Sequence, residues 1–293
     1  MMKNYKYIFL TLALSFVYTV SAQQDPNFSM YKYNMSVINP AFAGASEGLQ
    51  ATIGYRSQWS GIDGAVETQN YNVNSPVSDK VGLGISLIQD RIFVLAETHL
   101  YADFSYKLQV ADDTNLFLGI KAGGSFLNIN LNQLGVENDP LFSENIDTFN
   151  PNVGVGAYLK GNKYYVTLSA PGLLQSDRYE KEGITPVEGV DNVHFFAGAG
   201  YQFDLSDSFS LNPAVLAKAV AGAPLSVDLN ASLMYNDRFE IGANYRLDES
   251  YTGFFTVGFA DYLRFGYAYE RSTTTIQDFS DGTHEFIFQI QLD

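Results

Sequence analysis

Cysteine is absent from all 293 residues, which removes disulfides, zinc–thiolate centres and thiol catalysis. Histidine is nearly absent too: His99, His194 and His284 are the whole supply. A barrel hydrolase would need a serine, a histidine and an orienting polar group brought together. No nucleophile elbow or linked motif marks such a set, so no enzymatic activity, cofactor or metal is expected. Basic residues are scarce, 17 against 32 acidic ones, for a formal charge of −15. A chain of that sign is a poor partner for nucleic acid. Long apolar runs are limited to one, Tyr7–Val20, too short and wrongly flanked for a membrane helix. Lys3 and Lys6 precede it and Val20-Ser21-Ala22 follows, the layout of a secretory signal over residues 1–22. Its removal takes two lysines and no acid, shifting the charge to −17. With no cysteine beyond the cleavage site, a lipidated bacterial N-terminus is not expected. These features place the chain in a diderm bacterial envelope.

What the chain has in quantity is aromatic side chains, 15% of residues, with 20 Tyr and 22 Phe, and an alternation of apolar and polar positions. In 238–247 Phe239, Ile241, Ala243, Tyr245 and Leu247 alternate with Arg238, Glu240, Gly242, Asn244 and Arg246. Segments 225–233 and 263–271 repeat the pattern. A period of two puts alternate side chains on opposite faces of a strand. About fourteen such segments occur, near 49–60, 65–75, 80–90, 96–110, 114–129, 151–160, 163–170, 193–204, 208–218, 224–235, 238–247, 250–260, 262–271 and 284–292. Most are longer than the usual soluble strand and match a tilted bilayer-crossing one.

The connections decide between a soluble sandwich and a membrane barrel. Every second one is tight: Ser78-Asp79-Lys80, Asp112-Asp113-Thr114, Lys160-Gly161-Asn162-Lys163, Ser206-Asp207, Asn236-Asp237 and Asp261-Tyr262. The long ones, Leu131–Asn150, Pro171–Asn192 and Ser272–Thr283, fall in the other set. Short turns at one end and long loops at the other mark an up-and-down outer-membrane barrel. The expected fold is therefore an all-β transmembrane antiparallel barrel of about 14 strands over 49–293, with an N-terminal periplasmic or plug segment over 23–48. Charged rows such as Arg56, Asp103, Lys121, Asp228, Arg238, Glu240, Arg246, Arg264 and Glu270 must face the lumen, because Arg or Lys on the lipid face costs roughly 2–4 kcal/mol at mid-bilayer. Glu137, Asp139, Glu144 and Asp147, and Asp177, Glu180, Glu182 and Glu188, read as solvated loop charges; no spacing resembles an EF-hand loop. Pro213 predicts a bulge or break near 208–218. Gly82-Leu83-Gly84 and Gly154-Val155-Gly156 read as places where a barrel bends or packs closely, not as phosphate cradles.

The segment 23–48, QQDPNFSMYKYNMSVINPAFAGASEG, is too aromatic for a solvated tail. It either folds into the periplasmic mouth and closes it, or extends into the periplasm against a partner.

Asp25-Pro26-Asn27-Phe28-Ser29, then Tyr31, Asn34 and Asn39-Pro40-Ala41-Phe42-Ala43-Gly44, resemble the N-terminal signature of the PorP/SprF family of type IX secretion system membrane proteins. The resemblance continues through Tyr55-Arg56-Ser57-Gln58-Trp59 and Gly61–Ala65, and resumes at His194-Phe195-Phe196, Gly200-Tyr201, Asn212-Pro213, Lys218, Pro224 and Asp228-Leu229-Asn230. Tyr245-Arg246, Gly266–Tyr269 and Gly282-Thr283-His284-Glu285 complete it. It implies a non-enzymatic outer-membrane barrel supporting export and surface attachment of cargo with a type IX C-terminal sorting domain, gliding adhesins among them. The implied partners are the type IX translocon barrel, the periplasmic ring lipoprotein complex, the cargo C-terminal domain and outer-membrane lipid. Candidate partner or plug residues are Asp25, Pro26, Phe28, Asn39, Pro40, Gly44, Arg56, Gln58, Trp59, His284 and Glu285. The residues themselves leave open a second reading, a solute channel of the fatty-acid-transporter type with an N-terminal plug.

Overall fold

A computed structural model describes residues 28–134, 145–174 and 192–292. The strand segments are β1 (Leu49–Ser57), β2 (Glu67–Pro76), β3 (Val81–Ile92), β4 (Leu95–Ala111), β5 (Thr114–Ile129), β6 (Ile146–Lys160), β7 (Tyr164–Ala170) and β8 (His194–Tyr201). They continue with β9 (Phe203–Asp204), β10 (Phe209–Val220), β11 (Ser226–Tyr235), β12 (Phe239–Arg246), β13 (Ser250–Ala260), β14 (Leu263–Ser272) and β15 (Thr283–Leu292). Each pairs antiparallel with its neighbours, and β1 pairs with β15 over Leu49–Ser57, so the sheet closes on itself. β8 and β9 lie along one stave, both against β10 in a single register, giving a closed barrel of fourteen staves. Closure leaves no open sheet edge to face the hydrocarbon.

Pro213 acts on its neighbour. The β10–β11 ladder runs through it without a shift, Pro213 facing Ala231. On its other side the ladder breaks at Gln202, which separates β8 from β9 where Asn212 and Pro213 come opposite. A missing N–H donor accounts for that interruption.

The two faces separate as the alternation requires. Ile241 is 67% exposed and Leu229 47% on the outside, while Glu240 and Asp228, one residue away, are buried inside. Aromatic side chains band both ends of the outer face. Tyr201–Phe203 and Phe209–Tyr235 lie at the short-turn end, with ring centroids 4.6 and 4.7 Å apart. Phe126–Phe149, at 4.8 Å, lies at the other. Such girdles suit the two membrane interfaces. The turn Asn236-Asp237 has φ of 49° and 53° at its two central residues, the backbone that a two-residue hairpin needs to match strand twist.

Three placements differ from the sequence reading. Arg238 precedes β12 at the short-turn rim, where it pairs with Asp261 at 2.9 Å in solvent instead of facing the lumen. β1 ends at Ser57, so Gln58 and Trp59 belong to the following loop. β6 begins at Ile146, several residues before the expected start, lengthening the β5–β6 hairpin.

The plugged lumen as candidate functional site

β2 is the strand with the weakest apolar content, and its inner row shows why. Thr68, Asn70, Asn72 and Asn74 all point inward and are buried. They face a compact segment, Phe28–Gly48, inside the barrel. That segment makes a 3-10 turn at Tyr31–Asn34, one α-helical turn at Met35–Ile38 and a second 3-10 turn at Pro40–Phe42. Enclosed by the wall, its backbone polar groups need partners from the lumen rows.

The rows supply them. Asn70 Nδ2 donates to Asn34 Oδ1 at 2.7 Å, and Asn74 Nδ2 to Ser36 Oγ at 3.3 Å. Lys121 Nζ donates to the Ser36 carbonyl at 3.2 Å while pairing with Asp103 at 3.2 Å. Asn39 Oδ1 caps the last turn by accepting from Ala41 N at 2.8 Å. The same amide donates to Thr167 Oγ1 at 2.7 Å and to the Ala157 carbonyl at 3.0 Å. Ser169 Oγ donates to the Ile38 carbonyl at 2.7 Å, and Lys160 Nζ to the Ala45 carbonyl at 2.8 Å.

Glycines let the backbones touch. A Cβ on Gly119 would lie 2.2 Å from Ala41 N. Gly44 turns the segment toward β1 with φ of +71°, where a Cβ would meet Gly82 Cα at 2.6 Å. The apolar side of the segment, with Phe28, Tyr31, Met35 and Ile38, packs on Phe117, Tyr158, Phe196 and Leu216 from the wall. Burial raises the Tyr31 hydroxyl above its ordinary range. Tyr33 is also raised, by burial ahead of the opposing effect of Lys32. Both hydroxyls keep their protons at neutral pH, and Tyr33 donates its own to Glu240.

The most concentrated charge lies at the start of the segment. Arg56, 1% exposed, donates from Nη1 to Glu285 at 3.0 Å and to Ser29 Oγ at 3.0 Å, and from Nη2 to Glu270 at 3.1 Å. Glu285 accepts the backbone N–H groups of Ser29 at 2.8 Å and Met30 at 3.1 Å. Ser29 Oγ donates to Glu270 at 2.6 Å. Arg246 extends the network to Asp228 at 3.0 Å. A second anchor joins Tyr33 and Lys32 to Glu240, the lysine at 3.2 Å. Buried charges of this kind are tolerable only when paired and fully hydrogen-bonded.

Of the sequence-nominated residues, Phe28, Asn39, Pro40 and Gly44 lie in the lumen segment, and Arg56 and Glu285 meet at its start. Gln58 and Trp59 sit in the β1–β2 loop at the opposite end from the short turns. His284 is on the other face of β15 from Glu285, where Nδ1 lies 2.8 Å from the Tyr267 hydroxyl. It does not share a site with its neighbour. Asp25 and Pro26 fall outside the described residues, as do Glu137, Asp139, Glu144, Asp177, Glu180, Glu182 and Glu188. Among the described residues no group of three or more His, Asp or Glu could hold a metal ion. Sequence reading placed Glu270 and Glu240 in the lumen without their partners, and missed Ser29 and Thr167. The run of inward Thr and Asn on β2 signalled the contacts to Asn34 and Ser36, whereas Ser29 and Thr167 are paired across large sequence distances that no local pattern marks.

Over residues 20–290 the chain matches the family described as type IX secretion system membrane protein PorP/SprF. The chain belongs to that family. This PorP/SprF barrel is thus an outer-membrane protein and a component of type IX secretion. Among curated proteins none matches. Among solved structures it is similar to the outer membrane protein Omp33 of Acinetobacter baumannii, at 6% identity and a TM-score of 0.50, covering 84% of this chain and 98% of that one. It is also similar to the CymD monoaromatic hydrocarbon channel, at 12% identity and a TM-score of 0.50, covering 91% and 93%. At such identities the likeness is one of fold.

Proposed function

We propose that this PorP/SprF barrel is a non-enzymatic accessory of type IX secretion that supports export and surface attachment of cargo bearing C-terminal sorting domains, of the gliding-adhesin type. Its residues 23–48 form a plug, residues 1–22 a signal peptide and 49–293 the membrane barrel. The plug segment and the short turns serve the translocon barrel and the periplasmic ring lipoprotein complex. The loops at the other end serve the cargo domain. The observation that supports this most is a lumen occupied from Phe28 to Gly48 and bonded to the wall along its length. An occupied lumen suits a docking platform better than a solute path.

The test pairs two measurements: surface display of sorting-domain cargo in a strain lacking the gene, and planar-bilayer conductance of the purified barrel. Lost display with a silent barrel is the expected result. Normal display together with a steady open conductance overturns the accessory role in favour of a transport channel.

A further inference from the structure

At the end opposite the short turns, the lumen opens above the Arg56 network into a cavity of about 300 Å³. The loops after β1 and β14 roof it. Trp59, the sole tryptophan of the chain, lines it. The loop that carries Trp59 is fastened across the mouth. Trp59 N donates to Thr283 Oγ1 at 3.3 Å, Ser60 N to the Gly282 carbonyl at 2.8 Å, and Asp281 N to the Ser60 carbonyl at 2.7 Å. Trp59 itself holds φ of 52°, a left-handed backbone that a bulky residue rarely adopts. The backbone that carries the indole is tied to the opposite loop before any ligand arrives.

The rest of the lining is polar. Gln58, Ser250, Ser272, Thr274, Gln277 and Ser280 contribute hydroxyls and amides. Ser250 is 3% exposed, and its Oγ has no hydrogen-bond partner although it borders the cavity. A buried hydroxyl left without a partner is costly unless something else satisfies it. The charges in the wall nearly balance: Lys218, Arg246 and Arg271 against Glu249 and Glu270. The arginines are also committed, Arg246 to Asp228 and Arg271 to the carbonyls of Ser280 and Gln277. An ion of either sign would gain little from groups already paired. A neutral polyhydroxylated ligand needs no unpaired charge: it exchanges hydrogen bonds with the hydroxyls and amides of the lining and lays its C–H face on the indole.

We infer that this outer cavity is a carbohydrate subsite, taking one or two neutral sugar units, with Trp59 as the stacking platform and Ser250 as a buried hydrogen-bonding partner. The inference goes beyond the secretion role and does not depend on it. The sugar could belong to a lipid-anchored surface polysaccharide or to a free or protein-borne oligosaccharide, since the recognised chemistry is the same.

The test uses the intact mature barrel in detergent and a panel of neutral hexoses, N-acetylhexosamines and their short oligomers, alongside O-polysaccharide fragments released from lipopolysaccharide. Because the chain has one tryptophan, its fluorescence reports this site alone, and titration calorimetry gives an independent affinity. A saturable shift with at least one panel member is expected. Trp59→Ala should weaken it by at least about tenfold, Trp59→Tyr should keep most of it, and Ser250→Ala should weaken it several-fold, all with normal heat-modifiable migration. Preference for the polysaccharide fragments assigns the lipid-anchored source, and equal binding of short sugars the free one. No saturable response from any panel member, or binding unchanged in Trp59→Ala, overturns the inference. A Trp59→Ala barrel that loses sugar binding yet displays cargo normally leaves the secretion role standing.

Discussion

Removing the Arg56 side chain isolates what seats the plug. The guanidinium serves Glu270, Glu285 and Ser29 Oγ at 3.0–3.1 Å and is 1% exposed. Arg56→Ala leaves two inward carboxylates with no cation between them, and Glu285 still holding the Ser29 and Met30 amides. Breaking a buried pair by deleting one partner costs about 3–5 kcal/mol. The strand ladders of β1 make no use of that side chain, so the wall should persist. The cost therefore falls on plug docking. At about 1.4 kcal/mol per factor of ten, the undocked fraction should rise by roughly a hundredfold to a few thousandfold. Limited proteolysis of the purified barrel, with mass mapping of cuts within 28–48, reads that fraction, and bilayer recordings should show new conductance bursts. Replacing the whole cluster, Arg56→Met with Glu270→Gln and Glu285→Gln, should recover most of the protection because no charge is left unpaired. Wild-type protection in Arg56→Ala, with the barrel still heat-modifiable, would refute the reasoning that this network holds the segment.

Other expectations follow from the same geometry. Ile241→Arg and Leu229→Arg each place a cation on the lipid face at a cost of roughly 2–4 kcal/mol; gel migration should show loss of the compact folded band. Asn39→Ala removes the cap on Ala41 and the contacts to Thr167 and Ala157, costing about 1–3 kcal/mol, visible as earlier proteolysis of the plug. Gly119→Leu drives a side chain into Ala41 N and should expel the Pro40–Phe42 turn while leaving the β5 ladder intact, measured by the same protease map. Deleting Asp25–Gly44 should leave a folded barrel with raised conductance and impaired cargo display.

The wall was legible because one physical demand repeats at every strand: an apolar row for lipid and a polar row for the lumen, two residues apart. That is why β5, read at 114–129, coincides with Thr114–Ile129, and why Pro213 could be marked as disruptive before its effect at Gln202 was visible. The lumen was legible only in kind. Glu240 and Glu270 announce an inward charge, but what answers it is set by the path of Phe28–Gly48, which has no period to read. Gly82 and Gly156 could be read as close-packing positions. What packs there, the Ala43 carbonyl and the Asn39 amide, depends on contacts across large sequence distances. His284 and Glu285 were nominated together, and strand geometry sends the two side chains to opposite faces, His284 to the Tyr267 hydroxyl and Glu285 to the lumen.

Arg56 stands on the first strand, Glu285 on the last and Glu270 on the one before it, so the cluster straddles the join where the N- and C-terminal strands meet. A nascent chain possesses the cation and Ser29 from the outset, but gains their carboxylates only when residues 270–293 arrive. Stoppering of the pore is thereby made contingent on completed biogenesis. A prematurely terminated polypeptide would lack both the closing stave and the means to lock its own leader-proximal stretch in place.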